Sequence, residues 1–352
     1  NQASGSHATV SGGNANDASA AFSSVGGGAT NQASGQFAVV GGGSYNDAQA
    51  KYAAILGGGP SDEANPAITN NRVSDDYGVI GGGGGNSAGD GVGDAFSAPF
   101  ATVGGGRQNS AAGGYAAVGG GNTNTASGYA AAIAGGESNS AISNYATVSG
   151  GLGNSANSNY ATVSGGSGNS VGNQYATVSG GRNNIASNAY ATVGGGFANT
   201  ASGPLATVPG GQGNTAAGQG SFAAGTQASA NHAGSFVWSD SNTDPFSSTA
   251  DNQFLIHAEG GVGIGTDSPS AALQVVGDTH FQGNARVLGE DNLVFLGNTN
   301  SHTPNCPTSD GPGLVSCLVK VPAISVMGNT AFVVSYSSNT LTAFDVTDPQ
   351  NI

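Results

Sequence analysis

Along most of the chain the hydrophobic positions keep one strict interval. An aliphatic residue falls at Val10, Val25, Val40, Ile55, Ile80, Val103, Val118, Ile133, Val148, Val163, Val178, Val193 and Val208, and every step is fifteen positions except the two longer ones, Ile55 to Ile80 and Ile80 to Val103. The clearest copies read Tyr145-Ala-Thr-Val-Ser-Gly-Gly, repeated from Tyr160 and Tyr175 and, with Gly for Ser, from Tyr190. A second element, Asn-x-Ala-Ser-Gly, keeps the same period at Asn31, Asn124 and Asn199. Between Tyr145 and Ser149 apolar and polar residues alternate, which predicts a short strand with Ala146 and Val148 facing inward and Tyr145, Thr147 and Ser149 facing outward. One such repeat is too short for a strand–helix unit with its turns, and no apolar residues recur at helical spacing. Each repeat is therefore expected to be one coil of an all-β parallel β-solenoid, or β-roll, of about thirteen coils.

Coils of this kind stack at the inter-strand distance of about 4.8 Å, so the array is expected to be roughly 60 Å tall. Stacking turns each repeated residue into a column. Val148, Val163, Val178 and Val193 form the expected core ladder. The Gly-Gly pairs suit turns with φ > 0, and Asn tolerates that geometry while bonding along its own column. Outside lies an aromatic column: His7, Phe22, Phe37, Tyr52, Tyr77, Phe100, Tyr115, Tyr145, Tyr160, Tyr175 and Tyr190. Each coil has only small apolar residues to bury, and an outward aromatic stripe would stay wet on a lone chain. A homo-oligomer is expected, with Tyr145, Tyr160, Tyr175 and Tyr190 as the candidate subunit interface.

Composition sharpens this picture. Glycine accounts for 64 of 352 residues and only 7% of the chain is charged, so backbone pairing rather than a conventional core must order it. The formal charge of −14 lacks the basic footprint that nucleic acids or anionic membranes require, and no apolar run reaches the length of a membrane-spanning helix. Neither partner is expected. The two irregular steps imply insertions near 60–69 and 83–97, which hold Asp62, Glu63, Asp90 and Asp94, with Asp75 and Asp76 between them. Extra residues leave a solenoid as loops, so these acids are expected to protrude. Three roles stay open for Asp75, Asp76, Asp90 and Asp94: a solvated acidic loop, a partner-recognition loop, or Ca²⁺ ligation, although neither an EF-hand nor a Ca²⁺-binding nonapeptide pattern is present.

At these residues the chain resembles the head domain of trimeric autotransporter adhesins, the YadA-like left-handed parallel β-roll. The matching elements are the Asn-x-Ala-Ser-Gly turn and the aromatic-Ala-Thr-Val-Ser-Gly-Gly strand, over about residues 1–225. The resemblance implies an extracellular, cell-surface homotrimer that attaches to a surface, a matrix or a glycan receptor; no binding residue of that family maps onto this chain. Residues 226–300 read as a β-rich neck, because the period weakens at Phe236-Val-Trp-Ser-Asp and Phe254 to Gly277 looks like a connector of bacterial and phage fibres. Residues 301–352 carry three short strands divided by Gly-Asn and Ser-Asn turns and resemble one blade of an LVIVD-type β-propeller. One blade cannot close a propeller, and the chain opens at Asn1 without Met, so it is expected to be a piece of a longer protein.

Candidate chemistry is sparse. Cys306 and Cys317 lie close together in a Pro/Ser/Gly-rich segment, where a small disulfide, free thiols and a metal site are the alternatives. Gly261-Val-Gly-Ile-Gly265 lacks the spacing of a dinucleotide-binding turn, and the five His are scattered. The Thr column (Thr9, Thr102, Thr147, Thr162, Thr177, Thr192, Thr207) offers the regular hydroxyls of an ice-binding face, but only once per strand and beside Tyr. No enzymatic activity, cofactor or metal is expected. The sequence reads as an extracellular structural or adhesive fibre of a bacterial surface, working by multivalent attachment or as a filament, with a phage-type tail-fibre receptor-binding protein as the alternative.

Overall fold

The structure is a computed structural model. It describes residues 1–92, 96–240 and 245–277, together with three strands further on, and contains no helix among the described residues. By contact the chain divides into two units, Asn1–Gly263 with Asp267–Gln274, and Ile264–Thr266 with the chain from Val275 onward.

The first unit is a parallel β-solenoid. Up to Ala216 each coil contributes two strands of only two residues, such as Thr147–Val148 and Ser155–Ala156, to two separate parallel sheets. A third line of single parallel bridges runs through Glu137, Leu152, Ser167, Arg182 and Phe197. Registers are residue-for-residue, with Val148 beside Val163, Val163 beside Val178 and Val178 beside Val193. All four of these valines are fully buried, as are Ala146, Ala161, Ala176 and Ala191. With Ala141, Ala156, Val171, Ala186 and Ala201 of the other sheet, also fully buried, the core is a thin triple file of Val and Ala wound around one axis.

Each sheet holds sixteen strands, not the thirteen expected from the aliphatic column. The extra members of the second sheet are Phe222–Gly225, Phe236–Ser239 and Phe254–His257, whose inward residues are Ala223, Val237 and Leu255. The count stopped short because the slot after Val208 holds Ala223, and the following steps, to Val237 and then to Leu255, leave the period. Part of the segment read as neck therefore pairs into the same sheets.

Buried Asn residues run the length of the solenoid, and they do more than tolerate a turn. Asn154 donates through Nδ2 to the carbonyl oxygens of Gly150 and Gly166, both at 2.9 Å, and its Oδ1 accepts the Asn169 amide at 3.0 Å. The same set recurs at Asn169, Asn184 and Asn199. None of these four has positive φ. They lie inside the stack, capping backbone groups that a two-residue strand leaves over.

The left-handed positions fall elsewhere. One column is the last glycine before each Asn turn, with Gly28 at φ 89°, and another is the aromatic slot itself, with Phe22 at 60°, Tyr145 at 59° and Tyr160 at 59°. The aromatic residue is therefore the corner of a turn rather than the first residue of a strand, which shortens the strand read from Tyr145 to Ser149 to Thr147–Val148, while the alternation holds, with Ala146 and Val148 buried and Tyr145 and Ser149 exposed. Its amide turns back to the preceding coil: Tyr145 N–H donates to the Tyr129 carbonyl at 2.8 Å and Tyr160 N–H to that of Asn144 at 3.0 Å.

The glycines divide into obligate and free. A Cβ on Gly28 would meet the Gly43 carbonyl oxygen and lie 2.8 Å from Asn31 Nδ2, whereas one on Gly27 would meet nothing within 4 Å. Gly28→Ala is expected to cost about 2 kcal/mol or more, and Gly27→Ala to stay within about 0.5 kcal/mol. Denaturant melts of the two variants should separate clearly, and equal midpoints would contradict this assignment.

The second unit contains a three-stranded antiparallel sheet, Ala323–Met327, Thr330–Ser335 and Thr340–Asp345, at the three strands expected there. Cys306 and Cys317 lie outside the described residues.

Candidate interaction surface

Because each coil repeats its turn one rung above the last, the aromatic corners are carried into contact. His7, Phe22, Phe37, Tyr52, Tyr77, Phe100 and Tyr115 stack at centroid distances of 4.7–5.0 Å with their planes 3° to 19° apart. Tyr145, Tyr160, Tyr175 and Tyr190 form a second parallel run at 4.8–5.1 Å. Tyr129 joins the two by edge contacts, 5.4 Å to Tyr115 and 5.8 Å to Tyr145. Sequence reasoning left a gap there because Tyr129 stands one residue early, with Ala130 taking the left-handed corner at φ 52°. An aromatic within one residue of the empty slot was the available signal.

The result is one ladder of twelve rings from His7 to Tyr190. Most of its members remain about half exposed, Tyr145, Tyr160 and Tyr175 each at 45%. Stacking occupies the ring faces, so the ladder presents edges and phenol hydroxyls outward rather than open faces. Lys51 Nζ lies 5.1 Å from the Tyr52 centroid, and Arg182 lies 5.3 Å over Phe197 in the neighbouring bridge column. Beside the ladder, Thr147, Thr162, Thr177 and Thr192 register with one another as partly buried outward residues.

The acidic residues do not form one protruding set. Asp75 and Asp76 are 1% and 3% exposed. Asp75 Oδ2 accepts the Asp90 amide at 2.9 Å and the Ser74 hydroxyl at 3.1 Å, while Oδ1 accepts the Ser97 hydroxyl at 3.1 Å and the Ala98 amide at 3.3 Å. Asp76 Oδ1 accepts the Lys51 amide at 2.9 Å. These two carboxylates are spent holding the ends of the second insertion, through Asp90, Ser97 and Ala98, and the preceding coil, through Lys51, so they cannot contact a partner. The sequence position alone does not bury them, since the matching residues before other aromatic corners, such as Ser143 and Asn144, are half-buried or exposed; here Ser97 and Ala98 at the end of the second insertion bond Asp75, and Lys51 bonds Asp76. Asp90 Oδ1 accepts the Val92 amide and the Ser97 hydroxyl, and Asp94 lies outside the described residues.

Exposed apolar side chains also stand on the insertions, with Ile68 84% and Phe96 68% exposed, while Asp62 and Glu63 of the first insertion are exposed as expected. In the first insertion Asp62 accepts the Asn65 side-chain amide and the Ala64 amide, which hold its carboxyl below the usual range. Asp47 shifts the other way. Burial pushes its carboxyl up against the smaller opposing effects of the Gln49 amide and Arg72, so stability drawn from this group falls as pH rises through its folded pKa.

The remaining sequence candidates are scattered. His7 heads the ladder, His232 Nδ1 sits 2.9 Å from Ser248 Oγ, and His257 lies 3.7 Å from Asp240. Among the described residues no three His, Cys, Asp or Glu converge as metal ligands, and no helix is long and apolar enough to cross a membrane. Gly261–Gly265 encloses the strand Val262–Ile264. No protein-family model matches the chain, and no curated protein matches it.

Proposed function

We propose that this chain is the repetitive part of an extracellular structural or adhesive fibre of a bacterial surface, with a YadA-like head that works as a homotrimer by multivalent attachment or within a filament. The observation that carries this reading is the unbroken ladder of twelve outward rings on one side of the stack. A second copy has the same rise per coil, so it stays in step with the ladder over its whole length; a surface without that period matches only a few rungs. Association then grows with the number of coils while each contact stays weak. Exposed columns that repeat on every rung are also what multivalent attachment needs. The fibre-connector character of Phe254 to Gly277, common to bacterial and phage fibres, leaves the phage-type tail-fibre protein as the second reading, and tail genes beside the coding gene would select it.

The mass in solution tests the assembly. Light scattering at micromolar concentration is expected to give about three times the 33.7 kDa of one chain, and Tyr145, Tyr160, Tyr175 and Tyr190 changed together to Ser are expected to lower it. A monomeric mass for the unaltered chain would remove the trimer from this proposal.

A further inference from the structure

We infer that the Tyr145–Tyr160–Tyr175–Tyr190 run is a site of oxidative cross-linking, at which a peroxidase using hydrogen peroxide joins neighbouring rungs of one chain as dityrosine. The rings of adjacent rungs lie 4.9, 4.8 and 5.1 Å apart with interplanar angles of 5–6°, in register, so like carbons of neighbouring rings are held about one rung apart. Their half exposure leaves room for two rings to tilt together. The coils from Asn1 to Val208 contain no Cys, Met or Trp; the two Cys stand at 306 and 317, Met at 327 and Trp at 238. The side chains that usually intercept oxidants first are thus absent from the ladder's coils, and its phenols are the most oxidisable groups there. Rings in contact also exchange electrons, so a radical formed on one reaches the next.

The chemistry balances without any further reagent. Each of two phenols gives up one electron and its hydroxyl proton, and the two phenoxyl radicals pair their electrons in a bond between the ring carbons ortho to oxygen. The two ortho hydrogens then move to the oxygens and restore both phenols. The two electrons and two protons removed break the O–O bond of one hydrogen peroxide molecule, giving two waters. The link spans rungs of one chain and forms where no partner copy covers the Tyr run.

The spacing of basic residues makes the test direct. Trypsin cuts after Arg107, Arg182 and Arg286, so Tyr145, Tyr160 and Tyr175 fall in the peptide 108–182 and Tyr190 is the only Tyr in 183–286. The folded protein is treated with a haem peroxidase and hydrogen peroxide, and the product of single-chain size is isolated on a denaturing gel and digested. Peptides 108–182 and 183–286 are expected joined, lighter by two hydrogen atoms and fluorescent as dityrosine. Tyr190→Phe keeps a ring in the stack and is expected to abolish the joined peptide while leaving the loss of hydrogen within 108–182. Protein unfolded before treatment is expected to give at least tenfold less of the joined product. Cross-links found only between chains, or a joined peptide that survives Tyr190→Phe, would overturn the inference.

Discussion

A chain carrying Val163→Asp is expected to lose its fold around that coil, at a cost of about 4 kcal/mol or more. Val163 has no exposed surface, and its neighbours in the ladder, Val148 and Val178, are equally buried. A carboxylate there has neither water nor a cation, and the rungs above and below close over it. In a solenoid each coil touches only its neighbours, so one broken coil divides the stack rather than weakening it evenly. Melting followed by β-type circular dichroism should fall sharply or split into two steps. Thr162→Asp, one residue away on the outward face, is the matched control and should change the melt little. Similar melts for the two variants would mean that the inward assignment is wrong.

Asn154→Ala is expected to cost about 2 kcal/mol or more, because it leaves the buried Asn169 amide without its acceptor and takes a donor from the part-buried carbonyls of Gly150 and Gly166. The carbonyl oxygens of Gly150 and Gly166 lose their shared donor, and the Asn169 amide loses its acceptor. The Asn169 amide is buried, whereas the Gly166 carbonyl belongs to an exposed residue and keeps the Leu152 amide at 3.0 Å. Asn154→Asp separates the two halves of this role. Its oxygens still accept the Asn169 amide but face the two glycine carbonyls without a donor, so it should rescue part of the loss only at low pH, where the carboxyl is protonated. Denaturant titrations in acidic and in neutral buffer distinguish these cases. An Asn154→Ala chain as stable as the parent would show that the buried Asn column is filler.

Much of the fold was legible because a repeat is its own alignment. Val148, Val163, Val178 and Val193 recur at one fixed interval, and stacking is the arrangement that lets such short, weakly apolar units bury anything. The same reasoning lost the later coils, since Ala223, Val237 and Leu255 hold the inward position without holding the period. It also misplaced Asp75 and Asp76, whose acidity suggested solvent, while the structure turns both inward onto amides and hydroxyls.

The sequence by itself determined that this protein is a stack of like coils with a Val file inside and an aromatic file outside, because periodicity and alternation are properties of the chain. Only the tertiary structure decided that the aromatic slot is a left-handed corner, that Tyr129 closes the gap in the ladder, and that each Asn ties its own coil to the next. Those features depend on where the neighbouring coil places its carbonyls and rings, and that distance is set by the rise between coils rather than by any order of residues along one of them.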